Sequence, residues 1–149
     1  MKKIIALSFM FAALAACSSD DSPSDGNPSH AEPDYKQLIL GKWYFVGRTE
    51  NGGPLNAYIH DCPSQRDYEE YKSNGEGGYV GHNTACEVDE QESGLYEIKG
   101  NILKIKDTDA FPLNAEYTIT TLTESELVLT STSNEPGGQL VTVHKYTKI

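Results

Sequence analysis

The sequence predicts an all-β domain, in which a short N-terminal helical turn precedes a compact eight-stranded antiparallel up-and-down barrel. Two observations support this prediction. About eight short segments alternate apolar with polar residues at a period of two, and turn-forming residues separate one segment from the next. No internal segment has the period of a helix. A two-sheet sandwich is the alternative that the same pattern allows.

The elements can be placed in order along the chain. Asp34 is positioned to cap a helical turn over residues 35–40, and Gly41 ends that turn. The candidate strands are rich in Tyr, Val, Ile and Thr and cover residues 42–49, 67–73, 78–84, 94–99, 102–107, 115–121, 126–131 and 140–148. The turn signals are Asn51-Gly52-Gly53, Asn74-Gly75, Gly100-Asn101, Thr123-Glu124-Ser125 and Pro136-Gly137-Gly138.

Alternation also predicts which side chains face the interior. Each strand has one apolar face, whereas the opposite face carries residues such as Glu97, Lys104 and Thr118 that suit water. One dry face per strand is what a closed barrel with a single interior needs. The predicted inner wall consists of Trp43, Phe45, Tyr71, Tyr96, Ile98, Leu103, Ile105, Tyr117, Ile119, Leu127 and Leu129. All of these except Trp43 are candidates to contact a ligand.

Glu69 shares a strand face with Tyr71 and is therefore a further candidate for the interior. A buried carboxylate needs a partner, which here would be a ligand, a lysine or water. The alternative is a position at the rim of the barrel, where Glu69 is fully hydrated. The sequence leaves both readings open.

Residues 1–16 have the pattern of a secretory signal. Lys2 and Lys3 precede a short apolar run that is too short to span a bilayer as a mature helix. The run Leu14-Ala15-Ala16-Cys17 resembles the lipobox of bacterial lipoproteins. That resemblance implies cleavage before Cys17, a diacylglyceryl thioether on its sulfur and an acylated new N-terminus, so that the membrane is a partner through this anchor.

Residues 17–33 are predicted to be the lipidated cysteine and a flexible acidic tether, because they hold almost nothing apolar. The folded domain is then 34–149. The acidic start Ser19-Asp20-Asp21 resembles the signals that send some lipoproteins of Gram-negative bacteria to the outer face of the outer membrane. An ordinary solvated linker is the alternative. We expect a protein that is lipid-anchored at the cell outer membrane and a candidate for surface exposure.

The charge of the chain excludes one class of partner. Removing residues 1–16 takes away Lys2 and Lys3 and leaves 10 basic against 22 acidic residues, a net charge of −12 with neutral histidines. Such a surface repels nucleic-acid phosphates and anionic lipid headgroups. Nucleic acid is therefore not an expected partner.

Two cysteines remain once Cys17 is lipidated, and in an exported chain Cys62 and Cys86 favour a disulfide. The alternative is two free thiols. A bridge between them would close a loop and lower the entropy of the unfolded chain, which would stabilise the folded domain by roughly 3–4 kcal/mol.

A Gly-x-Trp motif, Gly41-Lys42-Trp43, follows the helical turn. After it come Cys62, Tyr71-Lys72-Ser73-Asn74-Gly75, Cys86, Gly94-Leu95-Tyr96-Glu97-Ile98 and the paired segments 117–122 and 127–129. In this order and spacing, residues 36–149 resemble the compact bacterial lipocalin-like domain. The resemblance implies an eight-stranded antiparallel barrel in which Gly41 and Trp43 are structural, Trp43 closes one end, and a Cys62–Cys86 link braces the early hairpin. Lipocalins place an Arg of the last strand against this Trp, whereas here only Lys145 and Lys148 are available for a cation–π contact.

No motif for catalysis or metal binding stands out in the sequence. His30, His60, His82 and His144 are interpreted as surface residues, since a zinc site would want three or four ligands. The acidic residues between positions 67 and 92 are interpreted as solvated surface. Because a nucleophile elbow, a phosphate-binding glycine loop and a Cys–His pair are all missing, we expect no enzyme activity, no metal and no cofactor.

Two functions follow from this reading. The first is the binding of a small apolar or amphipathic ligand inside the barrel. The second is an envelope interaction module that contacts another protein or a glycan, for which the loop-like segment 51–66 with Tyr58 is a candidate surface.

Overall fold

The computed structural model describes residues 34–107 and 114–149, so the predicted leader, Cys17 and the tether lie outside the described residues. Within those two ranges the one helix is a single turn, α1 (Tyr35–Leu38). No helix in the described residues is long and apolar enough to cross a membrane. The strands are β1 (Gly41–Glu50), β2 (Asn56–Ala57), β3 (Tyr68–Tyr71), β4 (Glu76–His82), β5 (Val88–Lys99), β6 (Ile102–Asp107), β7 (Asn114–Leu122), β8 (Glu126–Glu135) and β9 (Gly138–Thr147).

Eight of these strands form a closed antiparallel barrel. β1 pairs with β3, each strand from β3 to β8 then pairs with the next, and β9 returns to pair with β1. Across that last seam Tyr44 faces Thr147 and Arg48 faces His144. The two-residue β2 runs beside the second half of β1 and is not one of the eight. The predicted all-β, eight-stranded barrel is confirmed, and the sandwich alternative is wrong.

The predicted turns connect the strands. Between β3 and β4 the backbone of Gly75 has φ +85°, and Asn74 Oδ1 accepts a hydrogen bond from the Glu76 N–H at 3.1 Å. The largest boundary difference concerns β5, which begins at Val88 and not at residue 94. Its first half pairs with β4 alone and has exposed side chains on both faces, so it shows no apolar alternation.

A β-bulge interrupts β1 where the strand passes from β3 to β2. The pairing with β9 shifts register between Phe45 and Gly47. Gly47 has φ +149°, and a Cβ at this position would lie 2.3 Å from the carbonyl oxygen of Asn56, so the close approach of β2 requires glycine. The extra residue changes the alternation, and Arg48 joins His144 on the inward face.

Trp43 and the helical turn close one end of the barrel. Trp43 is fully buried, and its indole N–H donates to the carbonyl of Ile39 at 2.6 Å. The ammonium of Lys148 lies 4.6 Å from the Trp43 ring centre and donates to the carbonyl of Leu40 at 2.5 Å. A lysine therefore makes the cation–π contact, and it is Lys148 that does so.

The side chains that were predicted to face inward make up the core. Seven are buried, namely Trp43, Tyr71, Ile98, Leu103, Ile119, Leu127 and Leu129. Phe45, Tyr96, Ile105 and Tyr117 are partly buried and pack against them. The alternation missed Ile39, Leu122 and Tyr146, which complete the core.

Candidate functional site

Two cavities lie inside the barrel. The second is lined by Phe45 and Arg48 of β1 and by Tyr58, towards the barrel end away from α1, which we call the mouth. The cavity volumes are about 180 Å³ for the first and about 290 Å³ for the second. Both are lined by Glu69, Tyr79 and Tyr117, so they adjoin at these side chains. The first is also lined by Tyr71, Gly77, Gly78, Glu92, Ser93, Gly94, Leu95, Tyr96, Ile105 and Ala115, and the second by Phe45, Arg48, Tyr58, Tyr68, His144 and Tyr146.

Glu69 lies inside the barrel and is held by two tyrosines. Its register opposite Tyr79 puts it on the inward face of β3. One carboxylate oxygen accepts a hydrogen bond from the Tyr71 hydroxyl at 2.7 Å, and the other accepts one from the Tyr146 hydroxyl at 2.8 Å. The fully hydrated rim position is therefore wrong. The partners of Glu69 are tyrosine hydroxyls, and neither a lysine nor a ligand is needed to satisfy both oxygens.

Burial sets the electrostatics of this group. Desolvation raises the pKa of Glu69 above its usual value, against the two tyrosine hydrogen bonds that lower it, and the nearby charge of Glu92 raises it further. Burial also raises the pKa of Tyr71 and of Tyr146 well above the usual value, so both hydroxyls stay protonated and donate. Among the residues described, no Lys, Arg or His nitrogen lies within 4 Å of the Glu69 carboxylate.

Aromatic rings form most of the remaining wall. Tyr71 and Tyr96 meet edge to face with centroids 5.0 Å apart, and Phe45 and Tyr146 meet at 5.1 Å. Gly77 faces this wall, because a Cβ there would meet the Tyr71 and Tyr96 rings at 3.2 and 3.4 Å. These rings give the cavities broad apolar faces with hydroxyl groups at their edges.

His144 and Arg48 face each other across the β1–β9 seam at the mouth. Burial lowers the pKa of His144, and the nearby charge of Arg48 lowers it further, which favours the neutral imidazole. The Arg48 guanidinium is half-exposed and lies 3.3 Å from the Glu50 carboxylate. The positive charge at the mouth is therefore already paired.

Asp67 organises a second polar cluster near the mouth. The Tyr58 hydroxyl donates to one carboxylate oxygen at 2.7 Å, and the His82 backbone N–H donates to the other at 2.7 Å. Burial raises the pKa of Asp67, but these hydrogen bonds outweigh it and hold the pKa below its usual value. The Nδ1 atom of His60 accepts from the Asp67 N–H at 3.0 Å, so its 3.3 Å approach to the carboxylate joins two acceptors.

The surface interpretation of the histidines and acidic residues is thus corrected at several positions. His82 and Asp67 are buried, His60 and His144 are partly buried, and Glu69 faces the interior. His30 lies outside the described residues. Asp67, His60 and His82 are brought together by the disulfide-linked segment that carries Tyr58, which strand periodicity does not reveal. Glu69 and His144 face inward from their own strands. In the described ranges, no group of three or more His, Cys, Asp or Glu residues is arranged to hold a metal ion.

The Cys62–Cys86 disulfide is present, with the two Cα atoms 4.9 Å apart. Cys62 is buried, and it joins the segment between β2 and β3 to the turn between β4 and β5. The same segment carries Tyr58, whose ring packs against Phe45 at 5.2 Å. The predicted bridge therefore braces the mouth of the barrel beside the cavities.

The inner-wall candidates divide into two groups. Those that line a cavity are Phe45, Glu69, Tyr71, Tyr96, Ile105 and Tyr117. Those that belong to the packed core and line neither cavity are Ile98, Leu103, Ile119, Leu127 and Leu129. The sequence reasoning missed Tyr79, His144, Tyr146 and Arg48. Pairing the two strands of the β3–β4 hairpin would have placed Tyr79 opposite Glu69 and so on the same inward face. The sequence of β1, in contrast, does not indicate the bulge that turns Arg48 inward.

Several solved structures are similar to this chain. An uncharacterized protein from Bacteroides eggerthii aligns with a TM-score of 0.55 at 15% identity, over 74% of this chain and 99% of that one. The bovine lipocalin allergen aligns with a TM-score of 0.45 at 10% identity, over 77% and 75%. Aphrodisin, a sex pheromone from female hamster, aligns with a TM-score of 0.41 at 16% identity, over 74% and 75%.

None of the curated proteins matches the chain. The lipocalin-like domain family, in contrast, matches residues 39–129. This match extends from the residue that accepts the Trp43 hydrogen bond to the buried Leu129 of β8, and it covers more than half of the chain. The chain belongs to the lipocalin-like domain family.

Proposed function

We propose that this chain is a lipid-anchored protein of the cell envelope whose barrel binds a small apolar or amphipathic molecule. The observation that carries the binding proposal is the pair of adjoining cavities between inward-facing side chains. Concave, mostly apolar sites with a few convergent polar groups are the usual form of small-molecule sites. Here the apolar faces are aromatic rings, and the polar groups are Glu69 and the tyrosine hydroxyls around it.

The division of the barrel supports the same proposal. The Trp43 end is filled by buried side chains, which give the fold its stability, whereas the mouth end keeps space between strands. Drug-sized ligands usually occupy cavities of about 300–1,000 Å³, so volumes of about 180 and 290 Å³ suit a smaller molecule, such as one ring or a short alkyl chain.

Titration of the purified full chain with octanol tests the binding proposal. We expect saturable binding, seen as a rise in melting temperature and as a change in tyrosine fluorescence. Ala115→Phe, which fills the first cavity, should weaken binding by roughly tenfold or more. Glu116→Phe is the matched control, because Glu116 is exposed on the same strand and loses only a surface ion pair with Lys104.

Two results would contradict cavity binding. One is octanol that binds Ala115→Phe as well as the parent chain, and the other is no saturable binding by any small amphipathic compound. The interaction module would then be the better function, with segment 51–66 as its surface, since Ile59 is 84% exposed and Leu55 is 44% exposed.

Membrane attachment is proposed to depend on Cys17. Replacing Cys17 with alanine should abolish incorporation of labelled fatty acid and remove the chain from washed membranes, because several acyl chains together hold a protein firmly whereas a single chain binds marginally. Cys62→Ala is the matched control and should keep the label. A Cys17→Ala chain that still carried labelled fatty acid would contradict the lipoprotein proposal.

A further inference from the structure

We infer that the ligand of this barrel carries a positively charged nitrogen, that is, an organic amine or ammonium with a small apolar body, and that Glu69 is its counter-ion. This inference rests on the proposed ligand-binding function and names the chemical class of the ligand. The first observation is the position of Glu69, whose carboxylate lines both cavities. Any ligand that spans the two cavities passes this group.

The second observation is that the negative charge lacks a basic partner. The Glu69 oxygens accept hydrogen bonds from Tyr71 and Tyr146, which are neutral donors. In the part of the chain that the structure describes, no basic nitrogen is within ion-pair distance of them. Buried charges in proteins are normally paired, so a bound cation would supply what the empty barrel lacks.

A second carboxylate reinforces this preference. Glu92 also lines the first cavity, and after desolvation its negative charge is the further influence that raises the pKa of Glu69. A cation between the two would relieve this repulsion, whereas an anionic ligand would add to it. Two basic side chains, Arg48 and His144, line the second cavity. Arg48 is engaged at the mouth with Glu50, and burial lowers the pKa of His144, which favours its neutral form.

The aromatic walls fit the same class of ligand. Rings attract cations through their faces, and ammonium groups are commonly recognised by several aromatic side chains around one site. Tyr71, Tyr96 and Tyr117 surround the first cavity, and Phe45 and Tyr146 bound the second. The carboxylate would bind the ammonium while the rings contact its alkyl or aryl body.

The charge of the whole chain acts in the same direction at longer range. The chain carries 22 acidic against 12 basic residues, a net charge of −10. Such a field raises the local concentration of cations near the mouth and lowers that of anions. A fatty acid or another carboxylate is therefore the disfavoured class of amphipathic ligand.

The experiment compares octylamine, octanol and octanoate, which share one apolar chain and differ in the charge of the head group. Binding to the purified full chain is measured by tyrosine fluorescence at neutral pH, where an alkylamine is protonated and a carboxylic acid is ionised. We expect octylamine to bind at least about tenfold more tightly than octanol, and octanoate to bind most weakly.

Glu69→Gln tests the role of the carboxylate directly. The variant keeps the shape of the side chain and should lower octylamine affinity about tenfold while leaving octanol affinity within about threefold. Folding should be preserved, because desolvation raises the pKa of Glu69 and its ionisation therefore costs the empty barrel stability as pH rises. The matched control is Glu70→Gln, the next residue of β3, which changes the same charge on the outward face and should change neither affinity.

The outcomes separate this inference from the function on which it rests. If none of the three compounds binds saturably, the proposed cavity function fails and the inference fails with it. If all three bind with similar affinity, or octanoate binds best, the barrel binds ligands but the preference for a cation is wrong. If Glu69→Gln does not fold, Glu92→Gln at the exposed cavity edge replaces it, and unchanged octylamine affinity in that variant would overturn the inference.

Discussion

Replacing Trp43 with alanine is expected to lower the free energy of unfolding by about 3 to 5 kcal/mol, the cost of removing a fully buried large aromatic side chain. Three losses coincide at this position. The core loses its largest buried side chain, the carbonyl of Ile39 loses its donor at 2.6 Å, and the ammonium of Lys148 loses the ring that it contacts. The measurement is urea unfolding followed by circular dichroism, since Trp43 is the single tryptophan of the chain.

Two further variants define what Trp43 contributes. Trp43→Phe keeps most of the apolar volume but removes the indole N–H, so it should cost less than alanine. Ile59→Ala removes an apolar side chain that is 84% exposed, and its effect should stay within about 0.5 kcal/mol. If Trp43→Ala destabilised the chain no more than Ile59→Ala does, Trp43 would not be the residue that closes the barrel.

Removing the disulfide through Cys62→Ser with Cys86→Ser is expected to cost about 3 to 4 kcal/mol, because the bridge closes a loop between residues 24 apart in the unfolded chain. The loss should be smaller in the presence of a reductant, where the parent chain also has an open loop. Unfolding midpoints in urea, with and without reductant, measure both values.

The double variant has a natural control in Cys17→Ser, which leaves the bridge intact and should not change the unfolding midpoint. Two thiols that react with an alkylating agent in the native, oxidised parent chain would contradict the bridge. Stability equal to the parent under oxidising conditions would show that the bridge does not restrict the unfolded chain.

Local sequence patterns predict the barrel well because its determinants are local. Each strand carries its own alternation, so Ile98, Leu103 and Leu129 are assigned to the core from their own neighbours. The Asn74-Gly75 turn likewise depends on those two residues, since Gly75 adopts a positive φ and the Asn74 side chain accepts from the Glu76 N–H. The first half of β5, which begins at Val88, was not predicted. Its side chains are exposed on both faces of the strand, so its sequence shows no alternation of apolar and polar residues.

The candidate site was less predictable because its contacts join distant parts of the chain. Tyr146 reaches Glu69 across 77 positions, and neither residue indicates the other in the sequence. In the sequence Asp67 is one of several acidic residues that suit the surface. In the structure its carboxylate accepts hydrogen bonds from the Tyr58 hydroxyl and the His82 backbone N–H. The alternation also assumes an unbroken strand, so a bulge of one residue is enough to reverse the prediction for every residue beyond it.

The seam between β1 and β9 has a consequence for how the chain reaches its folded state. It pairs Gly47 with Lys145, positions at opposite ends of the domain in sequence, and such distant pairing slows folding because a long loop must close first. Until β9 is in place, β1 and β8 each present an unsatisfied edge, and open edges of this kind recruit strands from other chains. We therefore expect the newly made chain to be most prone to aggregation before β9 has paired with β1 and β8.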